Sequence, residues 1–182
     1  MAQSKGAIDV QICPLNDDLV TYVLNDNLWL RDLTNKVELK LTNTSDPIKS
    51  GVPSFAVQEE FNRYTGYWWQ PTSETNLAEQ TTTYRIVYEE VDDQGVDLTY
   101  ITPSCVNEFG YDSYRYPKAG TPNSVVKLKM IEIVYKNGNV TTLLFEFSYI
   151  SYIMMKIMDF FMILCLDLLE KNQKIYNFYL NH

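Results

Sequence analysis

Residues 19–41 have the sequence LVTYVLNDNLWLRDLTNKVELKL, and this stretch indicates the fold class. It contains three short β-prone runs, at 19–23, 28–33 and 37–41. The runs are separated by the polar clusters Asn25-Asp26-Asn27 and Thr34-Asn35-Lys36. Short strands joined by such turns form an antiparallel meander, which is the unit of a propeller blade or of a small sandwich. The stretch therefore predicts β structure.

Comparable β patterns continue to about residue 147. They lie at 55–61, 66–70, 84–88, 96–101, 125–135 and 140–147, with a polar loop predicted over 103–123 and an Asn-Gly hairpin turn over 136–139. Strand pairs recur at a spacing of about 40 residues, which indicates blade-like repetition. We therefore expect a mostly β fold, a partial β-propeller of about two to three antiparallel blades, in a domain spanning residues 1–147.

The composition changes near Ser148, because all 7 glycines and all 7 prolines precede it. Apolar residues recur at helical spacing from about Ile150 to Lys171, which predicts an amphipathic C-terminal α-helix in a separate tail, 148–182. Any window long enough to cross a bilayer includes Lys156 and Asp159, and each central charge costs about 2.5–3.5 kcal/mol. A membrane-spanning helix is therefore disfavoured.

Charge and residue usage exclude several function classes. The net charge of −8 argues against nucleic-acid binding, which needs clustered cations. The one histidine, His182, is the last residue of the sequence, so we expect neither Ser-His-Asp catalysis nor a Cys/His zinc site. No phosphate-binding glycine motif occurs, and we expect no cofactor and no metal. The spacing of Cys13, Cys105 and Cys165 and the lack of an apolar leader favour free thiols and a cytoplasmic location.

Adjacent acidic residues are the commonest charged feature. They occur at Asp17-Asp18, Glu59-Glu60, Glu89-Glu90 and Asp92-Asp93. The last two pairs precede the turn glycine Gly95, so we expect them to lie in a solvated turn or at a strand edge and to have no binding role. Glu59-Glu60 lies instead in the most aromatic stretch of the chain. Its neighbours are Phe55, Val57, Phe61, Tyr64, Tyr67, Trp68 and Trp69, of which the two tryptophans are expected to pack in the core.

Glu59 and Glu60 are the candidate binding residues. Two neighbouring carboxylates repel each other and lose solvation beside aromatic rings, which favours a cation between them. A substrate ammonium offers three N–H donors to the carboxylate oxygens. Neighbours on a strand point to opposite faces, so both acids can reach one amine only if the backbone is helical there.

The sequence FAVQEEFNRYTGYWWQP at 55–71 resembles the Glu-Glu segment of the dipeptidyl peptidase family, closest to the cytosolic branch of dipeptidyl peptidases 8 and 9. The segments IVYEEV at 86–91 and DSYRYPKAGTPN at 112–123 continue the resemblance in the order of the family. The resemblance implies a serine peptidase with an eight-bladed N-terminal β-propeller and an α/β-hydrolase domain. It also implies that Glu59 and Glu60 bind the free N-terminal ammonium of a peptide, from which an Xaa-Pro or Xaa-Ala dipeptide is released.

The sequence shows no counterpart of the hydrolase domain or of most propeller blades. We therefore expect a truncated propeller segment that binds a peptide N-terminus within the parent enzyme and has no peptidase activity alone. Two other interpretations stay open. One is a non-enzymatic β module that forms a homo-oligomer or associates with the full-length peptidase through unpaired strand edges. The other is a non-functional fragment whose tail associates with a membrane.

Overall fold

The computed structural model describes residues 6–102, 111–136 and 139–146, all within the compact unit Met1–Glu146. The elements are β1 (Ile8–Cys13), β2 (Asn16–Leu24), β3 (Asn27–Asp32), β4 (Val37–Lys40), β5 (Ile48–Ser50), α1 (Phe55–Phe61), β6 (Tyr67–Trp69), β7 (Glu74–Asn76), β8 (Thr81–Asp92), β9 (Leu98–Ile101), β10 (Asp112–Arg115), β11 (Val125–Lys136) and β12 (Asn139–Glu146). The mostly β fold is confirmed. The predicted tail helix and the Asn137-Gly138 turn lie outside the described residues.

The first sheet is the antiparallel meander β1-β2-β3-β4. Leu24 pairs with Asn27, which leaves Asn25 and Asp26 as a two-residue turn with φ values of 51° and 59°. Asn and Asp tolerate this left-handed backbone, and the resulting turn matches the twist of the paired strands. The meander predicted from residues 19–41 is therefore confirmed, and β1 adds a fourth strand at its edge.

The second sheet is organised around β8. Its whole length pairs with β11, which in turn pairs with β12. On the other side of β8, three short strands pair with successive parts of it. These strands are β5, β6 and β7, with the pairs Ser50↔Glu90, Tyr67↔Tyr88 and Glu74↔Thr83. Strands β9 and β10 form a separate antiparallel hairpin. The architecture is that of a partial β-propeller.

The buried core draws on both sheets. Its members include Val23, Leu28, Leu30, Tyr67, Trp69, Ile86, Tyr88, Ile131 and Ile133. Polar side-chain atoms inside it are paired: the Trp69 indole Nε1 donates to Thr21 Oγ1 at 2.9 Å, and the Tyr67 hydroxyl donates to the Asp9 carbonyl and lies 3.2 Å from the Thr21 carbonyl. These bonds offset the cost of burying polar groups. The core beside the segment that connects β5 to β6 is therefore closely packed.

Two local predictions were wrong. Residues 55–61 form helix α1 instead of a strand, and the predicted loop 103–123 contains strand β10. The helix begins because Ser54 Oγ accepts from Val57 N at 3.4 Å, and it ends where Asn62 takes a left-handed conformation. Strand β10 forms because β9 supplies its backbone partners, which the local sequence does not show.

Within the described ranges, no helix is both long and apolar enough to cross a bilayer. The predicted boundary between residues 147 and 148 stays a prediction.

Candidate functional site

Helix α1 lies in a segment that leaves the second sheet at Gly51 and rejoins it at Gly66. Both ends are hydrogen-bonded to one residue of β8. The Gly51 N–H donates to the Glu89 carbonyl at 2.8 Å, and the Glu89 N–H donates to the Gly66 carbonyl at 2.8 Å. The backbone of Glu89 therefore holds together the two ends of the segment that carries α1.

The two ends lie so close together that Gly66 has no room for a side chain, and Gly51 has no room for one against Leu28. A Cβ on Gly66 would lie 2.6 Å from the carbonyl carbon of Gly51 and 2.7 Å from its oxygen. Gly51 has a φ of +75°, and a Cβ there would lie 2.8 Å from Cδ2 of Leu28. Side chains do not fit at such distances, and glycine also accepts the positive φ without strain. These two positions fix where α1 projects from the sheet.

Glu59 and Glu60 lie at the C-terminal end of α1, and both are exposed. Adjacent residues on a helix project about 100° apart, whereas on a strand they point to opposite faces. The helical backbone that both carboxylates need in order to reach one amine is therefore present. Inside the helix, Gln58 Nε2 donates to the Pro53 carbonyl at 2.8 Å, which holds the first turn to the preceding loop.

The aromatic residues around the acidic pair separate into two groups. Tyr67 and Trp69 are 0% and 8% exposed and belong to the core, as expected for Trp69, whereas Trp68, also expected in the core, is only half-buried and is not part of it. Phe61 and Tyr64, one and four residues after Glu60, are 77% and 59% exposed. The aromatic residues near the pair in sequence are therefore partly core residues and partly exposed surface.

Glu60 has a specific hydrogen-bond partner from a distant part of the chain. The hydroxyl of Tyr116, the residue after β10, donates to Glu60 Oε1 at 2.6 Å. This hydrogen bond, the Glu60 charge, slight desolvation and the Glu59 charge raise the pKa of Tyr116 above its ordinary value. Tyr116 therefore contacts the Glu60 carboxylate directly. Sequence reasoning missed it, although it lies in the recognised YPKAG segment.

The β9–β10 hairpin also supports α1 through ring packing. Phe55, the first residue of α1, stacks on Tyr114 with a centroid distance of 4.7 Å and an interplanar angle of 25°. Its other contact is edge-on with Tyr116, at 6.0 Å and 76°. Between these tyrosines, Arg115 Nη1 donates to the carbonyls of Asp93 and Val96 at 3.2 and 3.3 Å. The hairpin is thus fixed to the turn after β8 and to the start of α1.

The arginine that follows the acidic pair is engaged elsewhere. Arg63 Nη2 lies 2.9 Å from Glu89 Oε1, and its guanidinium lies 5.8 Å from the centroid of the Trp68 ring. Arg63 also donates to the Thr65 carbonyl at 2.9 Å. In the part of the chain that the structure describes, no Lys or Arg forms an ion pair with Glu59 or Glu60. The negative charge of the pair is therefore not offset by a neighbouring cation there.

The expectation of a solvated turn or strand edge was wrong for Glu89, Glu90 and Asp93. Glu89 pairs with Arg63, and Glu90 Oε2 lies 2.8 Å from Lys129 Nζ. The Asp93 side chain is 0% exposed, lies 2.9 Å from Lys49 Nζ and accepts from the Ser124 hydroxyl. Carboxylates can be buried when cations and donors satisfy them in this way. These acids are therefore occupied by partners within the fold around the site.

Metal binding has no support from geometry in the described ranges, where no three His, Cys, Asp or Glu side chains are grouped as a metal ion requires.

Comparison with known proteins identifies the family. The profile described as "Dipeptidyl peptidase IV (DPP IV) N-terminal region" matches residues 1–157. The chain therefore belongs to the dipeptidyl peptidase family and corresponds to its N-terminal region.

Individual relatives agree with this assignment. The chain is 36% identical over 135 residues to dipeptidyl peptidase 8 of Mus musculus, an alignment that covers 70% of the chain and 15% of the relative. Identity to dipeptidyl peptidase 8 of Homo sapiens is 35%, with the same coverage. Identity to a probable dipeptidyl-aminopeptidase B of Penicillium rubens is 29% over 139 residues, again 70% of the chain and 15% of the relative. The chain thus spans about 15% of the length of these relatives, and the resemblance seen in the sequence is confirmed.

Proposed function

We propose that, within a longer dipeptidyl peptidase, this segment binds the free N-terminal ammonium of a peptide substrate through Glu59 and Glu60. One observation carries the proposal: two exposed carboxylates occupy adjacent positions of one short helix, and no described cationic side chain is paired with them. An ammonium group has three N–H donors and one positive charge, which match the acceptors and the charge of such a pair.

Amine binding at a fixed point determines which peptide bond is cut. If the ammonium is held by α1, the bond after the second residue lies at a constant distance from it. The names of the relatives, dipeptidyl peptidase and dipeptidyl-aminopeptidase, support a substrate that is shortened from its amino end. In the parent enzyme, the Ser-Asp-His hydrolase domain supplies the nucleophile, and an Xaa-Pro or Xaa-Ala dipeptide is released. This segment contributes recognition, and we place the activity in the cytosol by its resemblance to the cytosolic branch.

Single substitutions in the full-length enzyme test the proposal. Glu59→Gln and Glu60→Gln are each expected to lower kcat/KM for a Gly-Pro reporter peptide by about 10- to 100-fold, because a hydrogen bond to a charged group contributes about 1.5–3 kcal/mol. Steady-state kinetics measure the effect.

The matched control is Glu79→Gln. Glu79 is also exposed, but it lies in the turn before β8, whose first residue, Thr81, is about 26 Å along the strand from Glu89. The control variant is expected to have the same kcat/KM for the reporter peptide as the unmodified full-length enzyme. If both site variants behave like Glu79→Gln, the acidic pair does not bind the substrate.

The interpretation as a β interaction module has one supporting feature. Strand β1 lies at the edge of the first sheet, and its outer face exposes Ile8, Val10 and Ile12, which are 51%, 62% and 59% exposed. An unpaired edge with apolar side chains can pair with another β-strand. A homo-oligomer, or association with the full-length peptidase, therefore stays a second candidate function.

A further inference from the structure

The amine-binding pair lies on a helix of only seven residues, which makes few contacts of its own. Such a short helix is marginal by itself, and its position depends on the packing around it. None of the residues of α1 is buried. The element that holds the exposed end of α1 therefore influences where the carboxylates point.

The β9–β10 hairpin provides that element. Tyr116, the residue after β10, is 56 residues from Glu60 in the sequence, and its hydroxyl lies 2.6 Å from Glu60 Oε1. A phenol has one proton to donate, so this bond uses one acceptor site of Glu60 and leaves its other oxygen available. Both oxygens of Glu59 remain as further acceptors, because no donor from the described residues is bonded to them.

The Tyr116 ring is itself fixed in place. Its edge contacts Phe55, and its backbone N–H donates to the Asp97 carbonyl at 3.0 Å. The preceding residue, Arg115, is bonded to two carbonyls of the turn after β8. The hydroxyl is therefore held in position before any ligand is present.

We propose that Tyr116 is a positioning residue for peptide-amine binding: its hydroxyl orients the Glu60 carboxylate toward the substrate ammonium. This inference rests on the proposed function of the acidic pair and adds a residue from a different structural element to it. The site is then built from two segments, α1 and the β9–β10 hairpin, which the Phe55, Tyr114 and Tyr116 rings join. Preorganised acceptors bind a cation better than carboxylates that must first be ordered.

Tyr116→Phe in the full-length enzyme tests the role, because it removes the hydroxyl and keeps the ring against Phe55. We expect KM for a Gly-Pro reporter to rise about three- to tenfold, the equivalent of one ordinary hydrogen bond, with kcat within about twofold. The matched control is Tyr100→Phe. Tyr100 lies on β9 of the same hairpin and is 64% exposed, and its hydroxyl makes no hydrogen bond within the described part of the chain. We expect the control to change neither constant.

A second measurement reports on the hydrogen bond without any activity. In this chain carrying ¹³C-labelled tyrosine, Tyr116 is expected to titrate above its ordinary value of 10.0, and Glu60→Gln is expected to lower that pKa. If Tyr116→Phe leaves KM unchanged while Glu60→Gln still lowers kcat/KM, Tyr116 has no positioning role and the proposed function stands. If Glu60→Gln leaves kcat/KM unchanged, the proposed function fails, and the role of Tyr116 fails with it even where the titration shows the hydrogen bond.

Discussion

Replacing both Glu59 and Glu60 with glutamine in the full-length enzyme is expected to lower kcat/KM for a Gly-Pro reporter peptide by about 10²- to 10⁴-fold. The estimate combines two charge-assisted interactions of about 1.5–3 kcal/mol each. Because the two residues act on one ammonium, the combined loss is expected to differ from the sum of the single losses. Steady-state kinetics of the single and double variants give this difference directly.

The loss should not come from misfolding. Both residues are exposed, glutamine has nearly the same shape, and its amide oxygen can still accept from the Tyr116 hydroxyl. The free energy of unfolding is therefore expected to change by no more than about 0.5 kcal/mol, as for ordinary surface substitutions. A double variant with parent kcat/KM and parent stability would show that the pair has no part in substrate binding.

Gly66→Ala is expected to destabilise the chain by about 3 kcal/mol, at the upper end of the cost of overpacking. The added Cβ would lie 2.6 Å from the carbonyl carbon of Gly51 and 2.8 Å from the backbone nitrogen of Val52. Neither backbone can move away freely, because Gly51 and Gly66 are both bonded to Glu89. Urea unfolding measures the effect as a lower midpoint.

Gly95→Ala provides the comparison for this variant. Gly95 is exposed, and a Cβ there would have its nearest contact at 3.8 Å, with Cβ of Pro122. That is ordinary van der Waals distance, so we expect a change within about 0.5 kcal/mol. Equal unfolding midpoints for the Gly66 and Gly95 variants would mean that the two ends of the α1 segment do not meet at Glu89.

The strands could be predicted where the pattern is local. Residues 19–41 carry both alternating apolar residues and turn residues, and the two-residue turn at Asn25 and Asp26 follows from their tolerance of positive φ. Strands β8 and β11 are long and rich in β-branched and aromatic residues. Such signals lie within one segment of sequence and need no information about its neighbours.

Helix α1 was missed because seven residues are too few to show a helical period. Two signals could have identified it: Ser54 before the first turn and Asn62 after the last are preferred capping residues. The resemblance at 55–71 implies a binding role for Glu59 and Glu60 but does not predict their backbone conformation.

Contacts between distant segments could not be predicted from the sequence. The Tyr116–Glu60 hydrogen bond depends on how the β9–β10 hairpin folds against α1. Burial of Asp93 depends on Lys49 from another strand, without which a buried carboxylate would be costly. The local sequence shows adjacent acids before a glycine, which is typical of a solvated turn. It does not show the distant cations that pair with these acids in the folded chain.

The most direct test compares binding of two ligands to two proteins. The ligands are a Gly-Pro amide with a free amino group and its N-acetylated form, and the proteins are the full-length enzyme and its Glu59→Gln/Glu60→Gln variant. If the acidic pair binds the ammonium, acetylation weakens binding by about 100-fold or more in the parent and by no more than about threefold in the variant. An equal loss on acetylation in both proteins would show that the amino group is recognised elsewhere.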